Sequence, residues 1–318
     1  MEFPYTNLLP SVEDLIGDHG ALTWGTELRS QVLALCASLD IHTNLPDNLK
    51  STVNPSTARR RILNYFLAYP HIHISPRELL VISGSPQFFR RTNELIRRFG
   101  WWILRGDTIL MMANEDDYKL ETDIKQDSFV LISTEQDRDA TYRWNVARDL
   151  RKRKDPLSEK LLVYLRKNAG RQVTGEELRY VARDRTEWAR RVRELRTEEG
   201  WPVKTKNSGR PDLPLGAYIL EQDRQSEPHD RHIRDSVRVQ VLERDDYRCR
   251  KCDWGYNQQN PADPRNMLEL HHIEHHARKG ANEPENLVTL CNVHHDEVHS
   301  NDDGWGASDF FDWLNDGT

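Results

Sequence analysis

The sequence predicts an α+β protein of several domains, and three observations support this fold class. Two segments repeat the same apolar and turn pattern at an offset of 99 to 100 positions. After a glycine in each copy, helical periodicity changes to the alternation typical of strands. Three of the four cysteines and seven of the thirteen histidines lie within residues 249–299. The chain therefore divides into two related helix-plus-hairpin units and a small metal-stabilised domain.

Composition limits the protein class. The formal net charge is -6 and the mean hydropathy is -0.80. No apolar run approaches the ~18 residues that a membrane span needs, and Met1–Tyr5 does not begin a secretory leader. Three cysteines stand at metal-ligand spacing, which favours a reducing cytoplasm over a disulfide framework. We therefore expect a cytoplasmic protein that does not insert into a membrane.

The repeat comprises three matched segments. They are Ile62–Phe66 with Leu161–Leu165, Ile74–Leu79 with Val173–Leu178, and Arg90–Trp101 with Arg190–Trp201. Each copy reads as three helices followed by a hairpin. Ser75 and Thr174 are expected as N-caps, and Gly100 and Gly200 as the glycines that end the third helix. This order of elements is that of a winged helix-turn-helix.

The two hairpins are expected to differ in length. In the first copy, strands at Trp101–Leu104 and Thr108–Met111 flank a turn at residues 105–107, and residues 130–132 complete the wing. In the second copy, Val203 and the strand Ala217–Leu220 flank a basic loop. That loop is suited to a contact with the DNA backbone or the minor groove.

The third helix of each copy is the one that such folds place in the major groove. Residues 148–210 contain 19 Lys or Arg against 10 Asp or Glu, so a local phosphate-binding surface is compatible with an acidic protein. Periodicity assigns Phe89, Leu95, Trp188, Val192 and Leu195 to the core. The expected DNA-binding residues are Arg90, Arg91, Arg97, Arg185, Arg190, Arg191, Arg193, Lys204, Lys206 and Arg210. Solvated helix faces and protein-binding modules remain alternative interpretations.

Two metal clusters are expected near the C-terminus. Cys249-x2-Cys252 and Cys291-x2-His294 form a closed zinc set of three thiolates and one imidazole. His271 and His272 follow a short apolar strand, while His295 and His299 share one face of a helix. Adjacent strand residues point to opposite faces. One of the strand histidines would therefore bind a metal ion, and the other would take a proton from water.

These residues resemble the HNH endonucleases in their cysteine-containing form. The resemblance covers residues 235–300 and rests on His271-His272-Ile273, Asn286-Leu287 and Cys291-x2-His294-His295-x3-His299. It implies that His271, His295 and His299 bind the catalytic ion and that His272 is the general base. Asn286 would tie the loop that orients the base. The family usually has cysteine where His294 stands.

The expected domains cover the whole chain. They are an N-terminal helical segment (1–56, with helices at 11–17 and 23–39), a first winged helix (57–133), a connector (134–157), a second winged helix (158–222), a linker (223–234) and a ββα-metal nuclease domain with a C-terminal helix (235–318). The tail helix is expected to pack on the nuclease domain or to form a dimer contact. Residues His275 and His276 are expected in a loop near phosphate.

The expected function is a restriction-type endonuclease that cuts double-stranded DNA at sites read by the two repeats. Cleavage could require methylated DNA, and a homodimer would serve a palindromic target. The expected cofactors are a structural Zn²⁺ ion and a catalytic Mg²⁺ or Mn²⁺ ion, with Ni²⁺ or Zn²⁺ as further possibilities. One alternative is a DNA-binding regulator with an inactive HNH-like zinc domain. Another is a nuclease for structured DNA or RNA in defence against phage.

Overall fold

The structure is a computed structural model that describes residues 28–30, 32, 33, 36, 57–115, 124–226, 233–274, 281–301 and 307–316. The chain forms two compact units. The first comprises residues 1–113 and 119–149, and the second comprises residues 114–118 and 150–318. The expected helix at 11–17 lies outside the described residues. Within the expected helix at 23–39, the described residues are helical and bury Leu28, Val32 and Cys36.

The first copy contains helices and two short strands. They are α1 (Ala58–Ala68), α2 (Pro76–Ser83), α3 (Phe88–Phe99), β1 (Ile103–Arg105), α4 (Gly106–Glu115) and β2 (Phe129–Leu131). Strand β2 pairs antiparallel with β1, and Ile74 forms an isolated antiparallel bridge to Phe129 on the other side. The pairing order is therefore Ile74, β2, β1.

The expected hairpin of the first copy is wrong at its second strand. Residues 106–115 form the helix α4, and the strand that pairs with β1 is β2. Ile109 and Met112, three positions apart, are both buried, which is helical spacing. Four apolar residues are too few to distinguish a strand from a helix turn. The strand expected near residues 130–132 is confirmed by β2.

The second copy has the same order of pairing in a complete three-stranded sheet. Its elements are α6 (Leu157–Lys167), β3 (Gln172–Thr174), α7 (Gly175–Val181), α8 (Trp188–Thr197), β4 (Val203–Lys204) and β5 (Ala217–Leu220). Strand β5 lies between β3 and β4 and is antiparallel to both. The expected hairpin between Val203 and Leu220 is confirmed.

The helix starts agree between the copies. Ser75 caps α2 and Thr174 caps α7, each in a capping box with the glutamate three residues later, as expected. Gly100 is the C-cap of α3 at φ 68°, the left-handed region that glycine adopts without strain, and this expectation is confirmed. The expectation for Gly200 is wrong: α8 ends at Thr197 with Glu198 as its C-cap, and Gly200, at φ 73°, lies two residues beyond. Leu95, Leu195, Trp188 and Val192 are buried as expected. Phe89 is not: its position on α3 leaves it 45% exposed, under the guanidinium of Arg105.

The segment expected as a connector contains a further helix. Residues Ala140–Lys152 form α5, which precedes α6 by a few residues. Trp144, Ala147 and Leu150 of this helix are buried, at helical spacing. The connection between the copies is therefore partly an amphipathic helix with a packed face.

The third domain is built around a two-stranded sheet and a helix. Its elements are α9 (Asp235–Arg244), a 3-10 turn (Tyr256–Gln258), β6 (Leu268–His272), a 3-10 turn (Pro284–Asn286), β7 (Leu287–Cys291), α10 (Asn292–Asn301) and α11 (Ala307–Asn315). Its core includes Leu242, Trp254, Leu290 and Phe310, all of them buried. The aromatic side of α11 packs on this domain, which confirms one of the two expectations for the tail.

The expected linker is fixed where the structure describes it. Ser226 N donates to the carbonyl of Gly200, and Gln225 binds the carbonyl of Glu199. Ile233 is buried in the core of the third domain. Among the helices in the described ranges, none has the length and apolar content required to cross a membrane.

Candidate active site

Strands β6 and β7 and helix α10 hold every residue of the predicted metal clusters except the two N-terminal cysteines. The strands pair antiparallel, with His271 opposite Val288 and His272 opposite Leu287. Helix α10 begins at the residue after β7. Because side chains alternate along a strand, His271 and His272 point to opposite faces of the sheet.

Three histidines converge on the face covered by α10. The ring of His271 lies 5.6 Å from that of His295 and 5.0 Å from that of His299, measured between centroids. The Nε2 atoms of His295 and His299 are 3.3 Å apart. Two nitrogens bound to one ion at about 2.1 Å, at angles of about 90° to 110°, lie roughly 3.0–3.4 Å apart. These residues therefore fit a divalent metal ion.

An aromatic side chain borders this cluster. Phe310 of α11 stacks on His271, with 5.3 Å between ring centroids and an interplanar angle of 23°. Both residues are buried. The stacking holds the imidazole plane of His271 and keeps water from one side of the cluster.

His272 faces the loop that joins the two strands. Its Nε2 lies 2.7 Å from Oδ1 of Asn282. Asn286 closes the same loop: its Oδ1 accepts from Glu274 N, and its Nδ2 donates to the carbonyls of Glu274 and Ala281. The structure thus gives Asn286 the loop-tying geometry expected of it.

Asn282 is the residue in contact with the expected base, and sequence reasoning missed it. Its contact depends on the path of the loop, for which the sequence carries no periodic signal. His275 and His276 lie outside the described residues.

The second cluster brings together Cys249, Cys252, Cys291 and His294, with their ligand atoms within 4.8 Å of one another. His294 Nδ1 is 3.5 Å from Cys249 Sγ and 3.3 Å from Cys291 Sγ. A tetrahedral zinc ion with ordinary Zn–S and Zn–N bonds sets this separation at about 3.5 Å. The donor set and its spacing therefore fit zinc.

The surroundings favour a thiolate at Cys249, while the hydrogen bond between the two sulfurs raises the pKa of its neighbour Cys291. Hydrogen bonds from the Cys291 thiol, the neighbouring backbone and His294 lower the pKa of Cys249 despite its burial. Arg265 approaches Cys252 Sγ at 3.6 Å and is itself paired with Asp263. Negative charge at the sulfurs is what a zinc site needs, because zinc binds the thiolate.

The two clusters use adjacent residues of one helix. His294 joins the cysteines, and His295 joins His271 and His299. The assignment implied by the resemblance thus agrees with the geometry. Because both clusters use residues of α10, an ion held by the cysteine cluster would also stabilise the helix that carries His295 and His299.

Comparison with protein families identifies the domain that carries these clusters. Residues 249–301 match the model of the HNH endonuclease family. The chain contains an HNH endonuclease domain. Residues 59–132 and 158–221 match the KpnI N-terminal domain, and these two segments coincide with the two copies of the repeat. Neither the curated proteins nor the solved structures provide a match to the chain.

Together these matches support a restriction-type nuclease that acts on DNA. An HNH domain binds metal, and the Cys/His cluster could hold zinc. The expected family resemblance is confirmed.

An acidic side chain lies behind His295, one of the three clustered histidines. Glu269 Oε2 is 3.6 Å from Nδ1 of His295. Arg224 donates to Glu269 at 3.3 Å and to Asp296 at 2.9 Å. Burial raises the pKa of Glu269 to about 7, while Arg224 opposes the shift. Sequence reasoning missed Glu269, although it is two residues before His271 and therefore on the same face of β6.

The expected DNA-binding arginines of the third helices are mostly at the surface. Arg90 and Arg91 of α3 surround Glu94, and Arg190 and Arg191 of α8 surround Glu194. Arg193 of α8 pairs with Glu115 at 2.8 Å, and Arg97 of α3 lies over the Trp144 ring at 5.6 Å. Arg185 is exposed but lies outside α8, in the connection between α7 and α8.

Two of the three cations expected to contact DNA from the basic loop of the second copy are buried. Lys204 and Arg210 are only 4% and 5% exposed, whereas Lys206 is exposed. Arg210 pairs with Asp212 and Glu221 and lies 3.9 Å from the centroid of the Tyr256 ring. Packing against the HNH domain therefore removes two of the three loop cations from solvent.

Two further contacts join the second copy to the HNH domain. Arg196 of α8 binds Asp235 through Nε, at 2.9 and 3.0 Å, and through NH2 at 2.5 Å. Gln222 binds Asn266 at 2.8 Å. Arg196 is buried in this ion pair. Helix α8 is thus attached to the nuclease domain on the side away from Arg190 and Arg191.

Proposed function

We propose that the protein is a restriction-type endonuclease that reads duplex DNA with its two repeated units and hydrolyses phosphodiester bonds with its HNH domain. One observation carries the proposal: three histidines face one another across β6 and α10, and His272 lies on the opposite face beside Asn282. A domain used only for its fold has no need of this separation of ligands and base.

The proposed chemistry assigns one task to each residue. His271, His295 and His299 would hold a divalent ion, which when bound polarises the scissile phosphate and stabilises the leaving oxygen. His272 takes a proton from the attacking water. With Asn282 Oδ1 as acceptor, Nε2 of His272 carries hydrogen, and its Nδ1 has the lone pair that accepts this proton. Asn286 ties the loop that bears Asn282.

The carboxylate beside Nδ1 of His295 supports metal binding through its other ring nitrogen, Nε2. Metal-bound histidines commonly donate their other ring N–H to a carboxylate, which sets the tautomer. Glu269 stands near Nδ1 of His295 at 3.6 Å. Binding at Nε2 agrees with the approach of His299 Nε2 to the same point.

The DNA-reading role of the repeats is supported by their topology. The second copy runs helix, strand, helix, helix, strand, strand, which is the order of a winged helix. Its α8 presents Arg190 and Arg191 to solvent, as a helix that enters the major groove requires. We propose the same role for α3 in the first copy.

We further propose that two protomers act together, because one HNH site cuts one strand and a palindromic target suits two-fold symmetry. Gel filtration of the protein alone and bound to DNA tests this point. A dimer on DNA is the expected result, and a monomer in both states would contradict it. We also propose a cytoplasmic location, which is supported by the reduced thiols that the zinc set requires.

Plasmid cleavage tests the nuclease. One plasmid is prepared with and without host adenine and cytosine methylation and incubated with the protein in Mg²⁺ and then in Mn²⁺. We expect discrete fragments from the wild type and none from His272→Ala. The matched control is His71→Asn, an exposed residue at φ 62° where asparagine tolerates the backbone; it should cut like the wild type.

The remaining outcomes separate the alternatives. The better-cut plasmid preparation shows whether these methyl marks are required or inhibitory. An intact plasmid with retained binding in a gel shift would contradict the proposal and favour a DNA-binding regulator. Cleavage of RNA or of branched DNA in place of the plasmid would favour a nuclease for structured nucleic acid.

A further inference from the structure

The two copies of the repeat have diverged at most positions of their third helices, and the exceptions are informative. In the aligned pair α3 and α8, four residues are identical in the two copies. They are Arg90 and Arg190, Arg91 and Arg191, Glu94 and Glu194, and Leu95 and Leu195. The leucines are buried and need no further explanation. The arginines and glutamates lie on the outer side of each helix.

Positions close to these residues in the sequence have changed between the two copies. Asn93 corresponds to Arg193, and Arg98 corresponds to Glu198. Phe89, which is exposed, corresponds to the buried Ala189. Substitution was therefore tolerated around the two arginines and the glutamate, and their retention in both copies indicates a constraint on these three side chains.

The three side chains form the same fork in both copies. In the second, Arg190 Nε donates to Glu194 Oε1 at 2.8 Å and Arg191 NH1 to Glu194 Oε2 at 2.6 Å. In the first, Arg91 NH1 donates to Glu94 at 3.0 Å, and Arg90 Nε lies 3.4 Å from the same carboxylate.

Helix stability does not account for this retention. Exposed ion pairs three or four residues apart stabilise a helix only weakly. The arginine side chains are 71% exposed at Arg90 and 58% at Arg190. The retention of this fork on the solvent side of both helices is better explained by binding to a ligand.

The chemistry of the fork favours a base over a phosphate. In Arg90 and Arg190 the nitrogen next to the glutamate is Nε, and the terminal nitrogens are those that pair with O6 and N7 of guanine. Partial burial works against ionisation of the glutamates, but the arginine hydrogen bonds outweigh it and lower the pKa of Glu94 and Glu194. A carboxylate beside the fork repels a backbone phosphate and leaves a neutral base edge unaffected.

We propose that Arg90 and Arg190 each read a guanine in the major groove, with Glu94 and Glu194 as the residues that position them. The inference rests on the proposed DNA-reading function of the repeats and specifies it. The target would then contain two guanines recognised by the same contact, one for each copy.

Selection from a randomised duplex library tests this assignment. The full-length protein carries His272→Ala to prevent cleavage, and the library is selected at fixed salt without added divalent ion. We expect enrichment of guanine at two separate positions. Arg190→Ala should abolish the preference at one position and Arg90→Ala at the other. Each substitution should reduce discrimination against other bases by about tenfold to a hundredfold.

Two further variants and one control separate the effect of geometry from that of charge. Arg190→Lys keeps the positive charge but lacks the two terminal nitrogens of the guanidinium group. The variant should therefore lose the guanine preference, while the salt dependence of binding changes little. Glu194→Gln should weaken the same preference, because the fork is no longer held. Arg185→Ala, at an exposed arginine outside the fork, should weaken binding to all sequences equally.

The possible failures are distinguishable. Enriched sequences in which neither arginine-sensitive position is guanine would refute the inference alone. Uniform loss of affinity in Arg90→Ala and Arg190→Ala, with the preferred sequence unchanged, would assign the forks to phosphate and refute it too. A wild-type fold in thermal unfolding but no enrichment of any duplex would refute the proposed DNA reading itself.

Discussion

Replacing Lys204 with methionine removes an ammonium group that the structure buries between the second copy and the HNH domain. Burial lowers the pKa of Lys204 from 10.5 to about 7, and Arg238 and Arg196 act in the same direction. Glu221 and Asp235 oppose the shift but do not offset it. Methionine has nearly the same length and volume and no charge to desolvate.

The sign of the pH effect follows from proton binding. The unfolded chain keeps this proton up to about pH 10.5, whereas the folded protein releases it near pH 7. Between these values the unfolded state binds more protons, so the free energy of unfolding rises with pH. For this one group the rise from pH 7 to pH 9 is about 2 kcal/mol.

Urea unfolding of the wild type and of Lys204→Met at pH 7 and pH 9 measures the effect. The variant should be the more stable at pH 7, and its advantage should shrink by about 2 kcal/mol at pH 9. Lys206→Met, two residues along the same loop but exposed, should follow the wild type at both pH values. If Lys204→Met and the wild type gain the same stability between the two pH values, the argument from burial is refuted.

Three other outcomes follow from the described contacts. Cys252→Ser should lower the zinc content measured by metal analysis, because one of the four ligands is weakened. The HNH domain of this variant should also unfold at a lower temperature. An unchanged zinc content would contradict the assignment of Cys252 as a ligand. Asp235→Ala removes the carboxylate that Arg196, which is 3% exposed, binds. The free energy of unfolding measured in urea should fall by about 2–4 kcal/mol. A change below about 0.5 kcal/mol would show that this ion pair does not join the domains. Gly106→Ala places a Cβ 1.9 Å from a backbone oxygen and should destabilise the first unit severely. Gly170→Ala, at φ 73° in open space, should lower the free energy of unfolding by only about 1 kcal/mol. Equal unfolding midpoints for the two variants would refute the steric argument.

Local patterns determined several features of this protein. Ser75 and Thr174 cap helices because a hydroxyl three residues before a glutamate closes a capping box through neighbouring atoms. The spacing of His295 and His299 places both on one side of α10. The zinc set could be identified because pairs of ligands three residues apart are brought together by short local turns.

Short apolar runs were ambiguous for a physical reason. Residues 108–111 satisfy either a strand or one turn of helix, and the choice between them depends on what packs against Ile109 and Met112. Phe89 fits the apolar stripe of α3 by spacing, yet the neighbouring elements leave it exposed.

Only the tertiary structure decided which charged side chains are buried between the second copy and the HNH domain. The loop cations Lys204 and Arg210 have the composition of a DNA contact, but Asp212, Glu221 and the Tyr256 ring enclose Arg210. Asn282 contacts His272 from ten positions further along the chain. The sequence by itself determined which residues could bind metal and where helices begin, because those depend on near neighbours. Which cations remain at the surface, and which asparagine touches the base, depend on contacts between segments far apart in the chain, and those arise only when the domains pack.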